Sequence, residues 1–428
     1  MRMHPVLLLT FVASVAPLAP PTSVSFRSLG SSVLFSRRFS EGEDDGDNGG
    51  PPARNGSGGG TRRGALRTLV LSSSPLLLPS LPTPPLPIPL AAAAAPPGSP
   101  ALADGTVEAP LKWIPDLQAY VVFYYLGTDR FGAVLDTGSP FLTVPGYCDE
   151  KKWGCLTSGS SVPSGLPPTV ERFDNNEGAV EWRSANFSFG GGARGSLRAE
   201  PVVFGVLSEN LMGGSGGVFL GLVRDVNRRI RPSLLGQIGV RSFSVDLRPG
   251  RDAGNGTLAL STRPAPEAMS AAGPHVPLLR DLNRRYGDPV VHYVARASSV
   301  RANGSPVGDD GRPIYVIFDT GVTGMVVDQE LFERRYAAAR KNREKSLWGT
   351  VEITLPAVSA GRSLRTGGGG AGGATSTLAL SAVRPIVTPL GEKPWKEFRN
   401  AHLIIAGLAF LDGRRMTVDI DDGKMWLD

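Results

Sequence analysis

Two segments of this chain, AVLDTGSPFLTV at 133–144 and VIFDTGVTGMVV at 316–327, share one pattern: an apolar run carrying Asp-Thr-Gly, then more apolar residues. Asp136 and Asp319 therefore stand in the same setting, a carboxylate inside a stretch that otherwise favours burial. An ionised Asp there loses much of its hydration and needs hydrogen-bond donors, a partner or a chemical role. Each copy is followed by an apolar pair and glycine, Phe219-Leu220-Gly221 and Ile405-Ala406-Gly407. From Gly138 to Gly221 is 83 residues and from Gly321 to Gly407 is 86. Similar elements recurring in one order at nearly one spacing predict two duplicated lobes, each supplying one Asp loop.

Around these loops lie short runs of β-branched and aromatic residues separated by Gly, Pro, Asn and Asp, such as AYVVFYYLG, EPVVFGVL, GTLALS, PIYVIFD and VEITL. Many strands at short spacing predict an all-β body. One helix is expected over residues 331–348, LFERRYAAARKNREKSLW, with its basic face solvated. A chain of 428 residues with 41% hydrophobic residues has enough apolar side chains for more than one core.

Residues 111–428 resemble a pepsin-like aspartic protease. The resemblance rests on the two Asp-Thr-Gly segments with their apolar-apolar-Gly partners, on PSLLGQIGVRSFSVDL and GTLALS after the first lobe's glycine, and on the closing MTVDIDDGKMWL. It implies an all-β, bilobal fold of two duplicated, barrel-like lobes facing each other across a cleft. The lobes are expected at 104–248 and 249–428. Asp136 and Asp319 are the implied catalytic pair. Peptide hydrolysis without metal or covalent intermediate needs a positioned water, a base and an acid. Two carboxyls brought together supply both, because like charges at close range resist ionising together and one keeps its proton.

Gly138 and Gly321 are expected to allow tight turns beside each carboxylate. The resemblance assigns Thr137 and Thr320 to hydroxyl bonds across to the opposite loop, and Ser139 to an outer carboxylate oxygen. The matching position in the second lobe is Val322, which cannot donate; Thr323 is the candidate to compensate. TVERFDNNEGAVEW is the candidate flap hairpin, with a turn around Asn175–Gly178. Phe173 stands near the family's flap Tyr position, and Thr143 stands where that Tyr's Trp partner is expected. Trp182 either covers the cleft or is a half-buried strand aromatic. Cys148 and Cys155, the two cysteines of the chain, make a poor zinc site with no His cluster beside them and suit a small loop-closing disulfide. The family commonly closes such a loop just after the first Asp-Thr-Gly.

Residues 1–24 read as a signal peptide, 25–61 as a transit-like and disordered linker, and 62–103 as a second targeting signal or a Pro-rich pro-segment. Repeated prolines in the last piece argue against a spanning helix. Such a layered leader suits the secretory route and a plastid thylakoid lumen, with secretion or a vacuole as the alternative. The sequons at Asn55, Asn186, Asn255 and Asn303 are permissive for glycosylation on that route. The formal charge of +6 is largely a leader property: residues 1–103 hold 8 Lys/Arg and 5 Asp/Glu, leaving 37 against 34. Nothing here argues for nucleic acid. The expected partner is a peptide or protein substrate, met by a monomer without an integral span in its mature form, and no cofactor or metal is implied.

Other chemistries fit less well. GGSGG at 213–217 satisfies G-x-S-x-G, but its flanks are not the strand and helix of a nucleophile elbow. TGGGGAGGATS at 366–376 lacks the strand and the Lys-Ser/Thr of a phosphate loop. Four His residues occur, without His-Glu-x-x-His. The remaining rival is a non-catalytic module on the same fold, used for binding or inhibition.

Overall fold

The computed structural model describes residues 105–428 apart from 149–152, 158, 174–175, 190–197, 208–217, 225–231, 266–272, 281–291, 343, 345, 360–375 and 391–399. These described residues belong to one compact unit of the chain; the leader expected over 1–103, GGSGG and nearly all of the Gly-rich insert lie outside them. Strands dominate, in one sheet of 14 strands and two of 5 and 4. Among the described residues no strand order closes on itself, so the lobes are open sheets rather than barrels.

The duplication foreseen in the sequence is present in the strand pairing. Strand Asp129–Asp136 runs parallel to Phe219–Gly221, with Asp136 opposite Gly221. Strand Ile314–Phe318 runs parallel to His402–Ala406, with Phe318 opposite Ala406. Just beyond each loop a further strand repeats the arrangement: Thr143–Pro145 lies parallel to Arg198–Leu207, and Met325–Asp328 parallel to Val387–Leu390. Parallel strands covered on both faces read as continuous apolar runs rather than alternating ones. Ile314–Phe318 is buried throughout, as are the last six residues of Asp129–Asp136. Burying each large apolar side chain contributes about 1.5–3 kcal/mol. That apolar setting drags each Asp inward with its strand.

Glycine closes both pairings. A Cβ on Gly221 would lie 2.5 Å from the Ser139 carbonyl oxygen, and one on Gly407 would lie 2.1 Å from that of Val322. The apolar-apolar-Gly signature is therefore a requirement for close backbone approach beneath each Asp loop. The halves share further ties: Ser242–Asp246 pairs with both Asn255–Ser261 and Arg415–Asp419, while Thr106–Ile114 pairs with Asn255–Ser261. Tyr120 donates its hydroxyl to Asp412 at 2.9 Å.

The helix spans Gln329–Lys341, earlier than expected at both ends. Asp328 caps it by accepting from the Leu331 N–H at 3.0 Å. It stops at Asn342, and beyond it Glu344 pairs with Arg335. Arg335 is buried, so the basic face is only partly solvated; Arg334 pairs with Asp310 and Glu330 at the surface. Among the described residues no helix is long and apolar enough to cross a membrane. The disulfide Cys148–Cys155 is formed.

Candidate active site at the meeting of two repeated loops

Asp136 ends its strand and Asp319 follows Phe318 directly, so two equivalent strand ends bring the carboxyls together from positions far apart in the chain. Both residues are 0% exposed. Oδ1 of Asp136 accepts the Gly138 N–H at 2.7 Å, and Oδ1 of Asp319 accepts the Gly321 N–H at 2.8 Å. Among the described residues neither Oδ2 has a hydrogen-bond partner of good geometry.

The glycines lie in the bend and turn expected of them, the second closed by the Val322 N–H on the Asp319 carbonyl at 3.3 Å, but they also answer a further demand. Neither Gly138 nor Gly321 has a left-handed backbone, so turn formation does not demand them. Close approach does: a Cβ on Gly138 would lie 2.3 Å from Asp319 Oδ2, and one on Gly321 would lie 2.8 Å from Asp136 Oδ1. Each loop is bare of side chain where the other loop's carboxyl packs.

The threonines cross-link the loops reciprocally. The Thr320 N–H donates to Thr137 Oγ1 at 2.9 Å and the Thr137 N–H to Thr320 Oγ1 at 3.2 Å. Thr137 Oγ1 in turn donates to the Phe318 carbonyl at 2.9 Å, and Thr320 Oγ1 to the Leu135 carbonyl at 2.7 Å. All four bonds are buried, where an unmade partner costs about 1–3 kcal/mol.

Burial pushes both carboxyls above the ordinary Asp range. For Asp319 the neighbouring Asp136 charge and hydrogen bond raise it further, and only the Gly321 N–H opposes them. For Asp136 the hydrogen bonds with Asp319, the Gly138 N–H and Ser139, together with the charge of His292, pull back down. The pair titrates as a unit, and burial together with the closeness of the two carboxyls keeps a proton on it. Ser139 is buried, and although it favours ionised Asp136, its hydroxyl makes no bond of good geometry. Val322 packs among Val294, Ile317, Val326 and Ile405, offering Asp319 no donor. Thr323 does not compensate: its hydroxyl donates to the Gln118 carbonyl at 3.0 Å. Gln118 presents that oxygen from a left-handed backbone, φ 50°.

The candidate flap is a hairpin, Thr169–Phe173 against Asn176–Ser188. Gly178 lies within the second strand, opposite Glu171, rather than in the turn expected around Asn175–Gly178, and residues 174–175 fall outside the described residues. Phe173 pairs with Asn176 at the tip, and its side chain falls outside the described residues. Trp182 is buried rather than covering a cleft: it packs edge-on against Phe141 at 5.6 Å and donates to Thr169 Oγ1 at 3.1 Å. Thr143, in the place expected for Trp, accepts the Phe219 N–H at 2.8 Å. Two participants were not anticipated. His292, in a strand-like run with no motif around it, faces the Gly138 carbonyl, and Gln118 lies in a turn whose sequence marks no reach toward Thr323. Among the described residues no cluster suited to a metal occurs.

Mostly β, duplicated and joined through two Asp-Thr-Gly loops, the architecture is pepsin-like. No family model and no curated protein matches the sequence. Solved structures similar to it include the crystal structure of basic 7S globulin from soybean, at 13% identity over 76% of this chain and 95% of that one, TM-score 0.49. The crystal structure of EDGP is similar at 14% identity over 77% and 95%, TM-score 0.49.

Proposed function

We propose that this chain is an aspartic-type endopeptidase acting on a peptide or protein substrate without metal or cofactor. One observation carries the reading: two enclosed carboxyls from equivalent positions of a duplicated structure each hold one oxygen on a glycine N–H and perturb each other's proton affinity. The ionised carboxyl of the Asp136–Asp319 pair is suited to take a proton from water as that water attacks the scissile carbonyl. The carboxyl that keeps the shared proton is suited to give it to the carbonyl oxygen and, as the intermediate collapses, the departing amine receives one from the pair. Gly138 and Gly321 set the separation, and the threonine cross-links fix it.

A non-catalytic binding module on the same fold is the second reading. The complete enclosure of both carboxyls favours it, since hydrolysis requires a path for substrate, and so does the apolar Val322 beside Asp319. Incubating the full chain, Asp136→Asn and Asp319→Asn with a mixed peptide library from acid to neutral pH separates the two. Cleavage by the wild type alone supports the protease. Equal cleavage by all three removes the dyad assignment, and no cleavage at any pH leaves the binding module.

A further inference from the structure

His292 is 3% exposed and lies on the second lobe, just before strand Val294–Ala297, which pairs with Ile314–Phe318. Its Nε2 is 3.1 Å from the carbonyl oxygen of Gly138, on the first lobe's loop. A carbonyl oxygen only accepts, so Nε2 must carry hydrogen to make this bond.

The neighbouring residue extends the contact. Tyr293 accepts the Phe318 N–H on its carbonyl at 3.1 Å and donates its hydroxyl to the Leu222 carbonyl at 2.5 Å. Leu222 is itself tied to the Asp136 carbonyl through its N–H at 2.8 Å. The dipeptide His292-Tyr293 thus holds the first lobe at Gly138 and Leu222 and the second at Phe318, one residue from Asp319. Gly138 is a sensitive place to hold. Its N–H fixes Asp136 Oδ1, and its bare Cα faces the Asp319 carboxyl. A shift of its peptide alters both carboxyls at once.

We propose that His292 is a positioning residue of the dyad, gripping the Gly138 carbonyl from the opposite lobe through Nε2–H and so setting the spacing between Asp136 and Asp319. The proposal rests on the protease reading for its effect on rate, but the grip itself is measurable without catalysis. Its test uses the full chain as wild type, His292→Leu, which removes the donor, and His292→Gln, which offers an amide N–H in its place. Amide hydrogen exchange at residues 137–139 should quicken in the Leu variant and return toward wild type in the Gln variant. In parallel, kcat should fall about ten- to a hundredfold in the Leu variant with KM changed less than about twofold, and the Gln variant should recover most of it. Long-range proton–nitrogen spectra of the wild type should show the His292 ring protonated at Nε2, a readout that survives even if a variant does not fold. A ring bearing hydrogen on Nδ1 alone overturns the proposal, as does a folded Leu variant with wild-type exchange and rate. Full recovery by Gln distinguishes donation from mere filling of space, and a Gln variant no better than Leu counts against it. A wild type that shows the exchange pattern yet cleaves nothing sinks the protease reading and keeps the grip.

Discussion

Gly138→Ala isolates the claim that these loops are bare because each receives the other's carboxyl. The backbone at Gly138 is not left-handed, so alanine meets no conformational penalty there. The added methyl would lie 2.3 Å from Asp319 Oδ2 and 2.6 Å from its Cγ, where ordinary contact is about 3.5–4.0 Å. The loop cannot swing aside, because Thr137 beside it is bonded to Thr320 and to the Phe318 carbonyl. Asp319 must therefore retreat by about 1 Å, at an overpacking cost of about 1–3 kcal/mol. A shift of that size in a reacting group costs on the order of a hundredfold in rate. Gly273→Ala is the matched control, since its backbone is also unstrained and its Cβ meets nothing within 4 Å; it should leave stability within about 1 kcal/mol of wild type. Calorimetric melting of the full chain should then show Gly138→Ala several degrees below the control, at roughly 2–4 °C per kcal/mol. Equal melting temperatures and equal peptide-cleavage rates for the two variants would refute the close-approach argument.

Three further outcomes follow from the site and its surroundings. Asp319 binds its proton more tightly folded than unfolded, so its stabilising contribution is full at acid pH and lost as pH rises through the pair's titration; Asp319→Asn should flatten that fall in melting temperature and exceed wild type at neutral pH, and parallel curves would count against the dyad. Val322→Thr should bring a hydroxyl to the unpartnered Asp319 Oδ2, moving the pair's titration to lower pH by carboxyl carbon-13 shifts; an unmoved titration would show that the hydroxyl turns elsewhere. Asp328 accepts the Leu331 and Leu403 N–H groups and faces His402, all at 3.0 Å, and Asp328→Ala should lower stability by about 2–4 kcal/mol in a denaturant titration. Because Asp328 is held below its ordinary range, its contribution is present at neutral pH and is lost as pH falls, so the gap between that variant and wild type should narrow in acid.

What the sequence discloses and what it conceals divide along physical lines. The duplication was readable because it rests on chemistry with few substitutes: a buried carboxylate, a hydroxyl that crosses to the other loop, and glycines under backbone contact. The pairings of Asp136 with Gly221 and of Phe318 with Ala406 follow that pattern. Side-chain direction was not readable. Thr323 has the right chemistry and a neighbouring position, but its hydroxyl points to Gln118, and Trp182 turns into the core against Phe141. The reason for Gly138 was also hidden, because a turn and a close approach demand the same residue. His292 gave no signal at all. Its role depends on Gly138, 154 positions earlier, and nothing in a Val-Val-His-Tyr-Val run announces a distant carbonyl.

The crossed threonine bonds carry an implication for how the molecule comes into being. Thr137 and Thr320 each complete their hydrogen bonding only on the other half of the chain, so a half docked to nothing leaves polar groups stranded at what becomes its best-buried point. The centre is therefore complete only when both halves are in place, and it registers their docking as a two-key lock registers two keys. In a chain severed between the repeats neither fragment could furnish the centre alone.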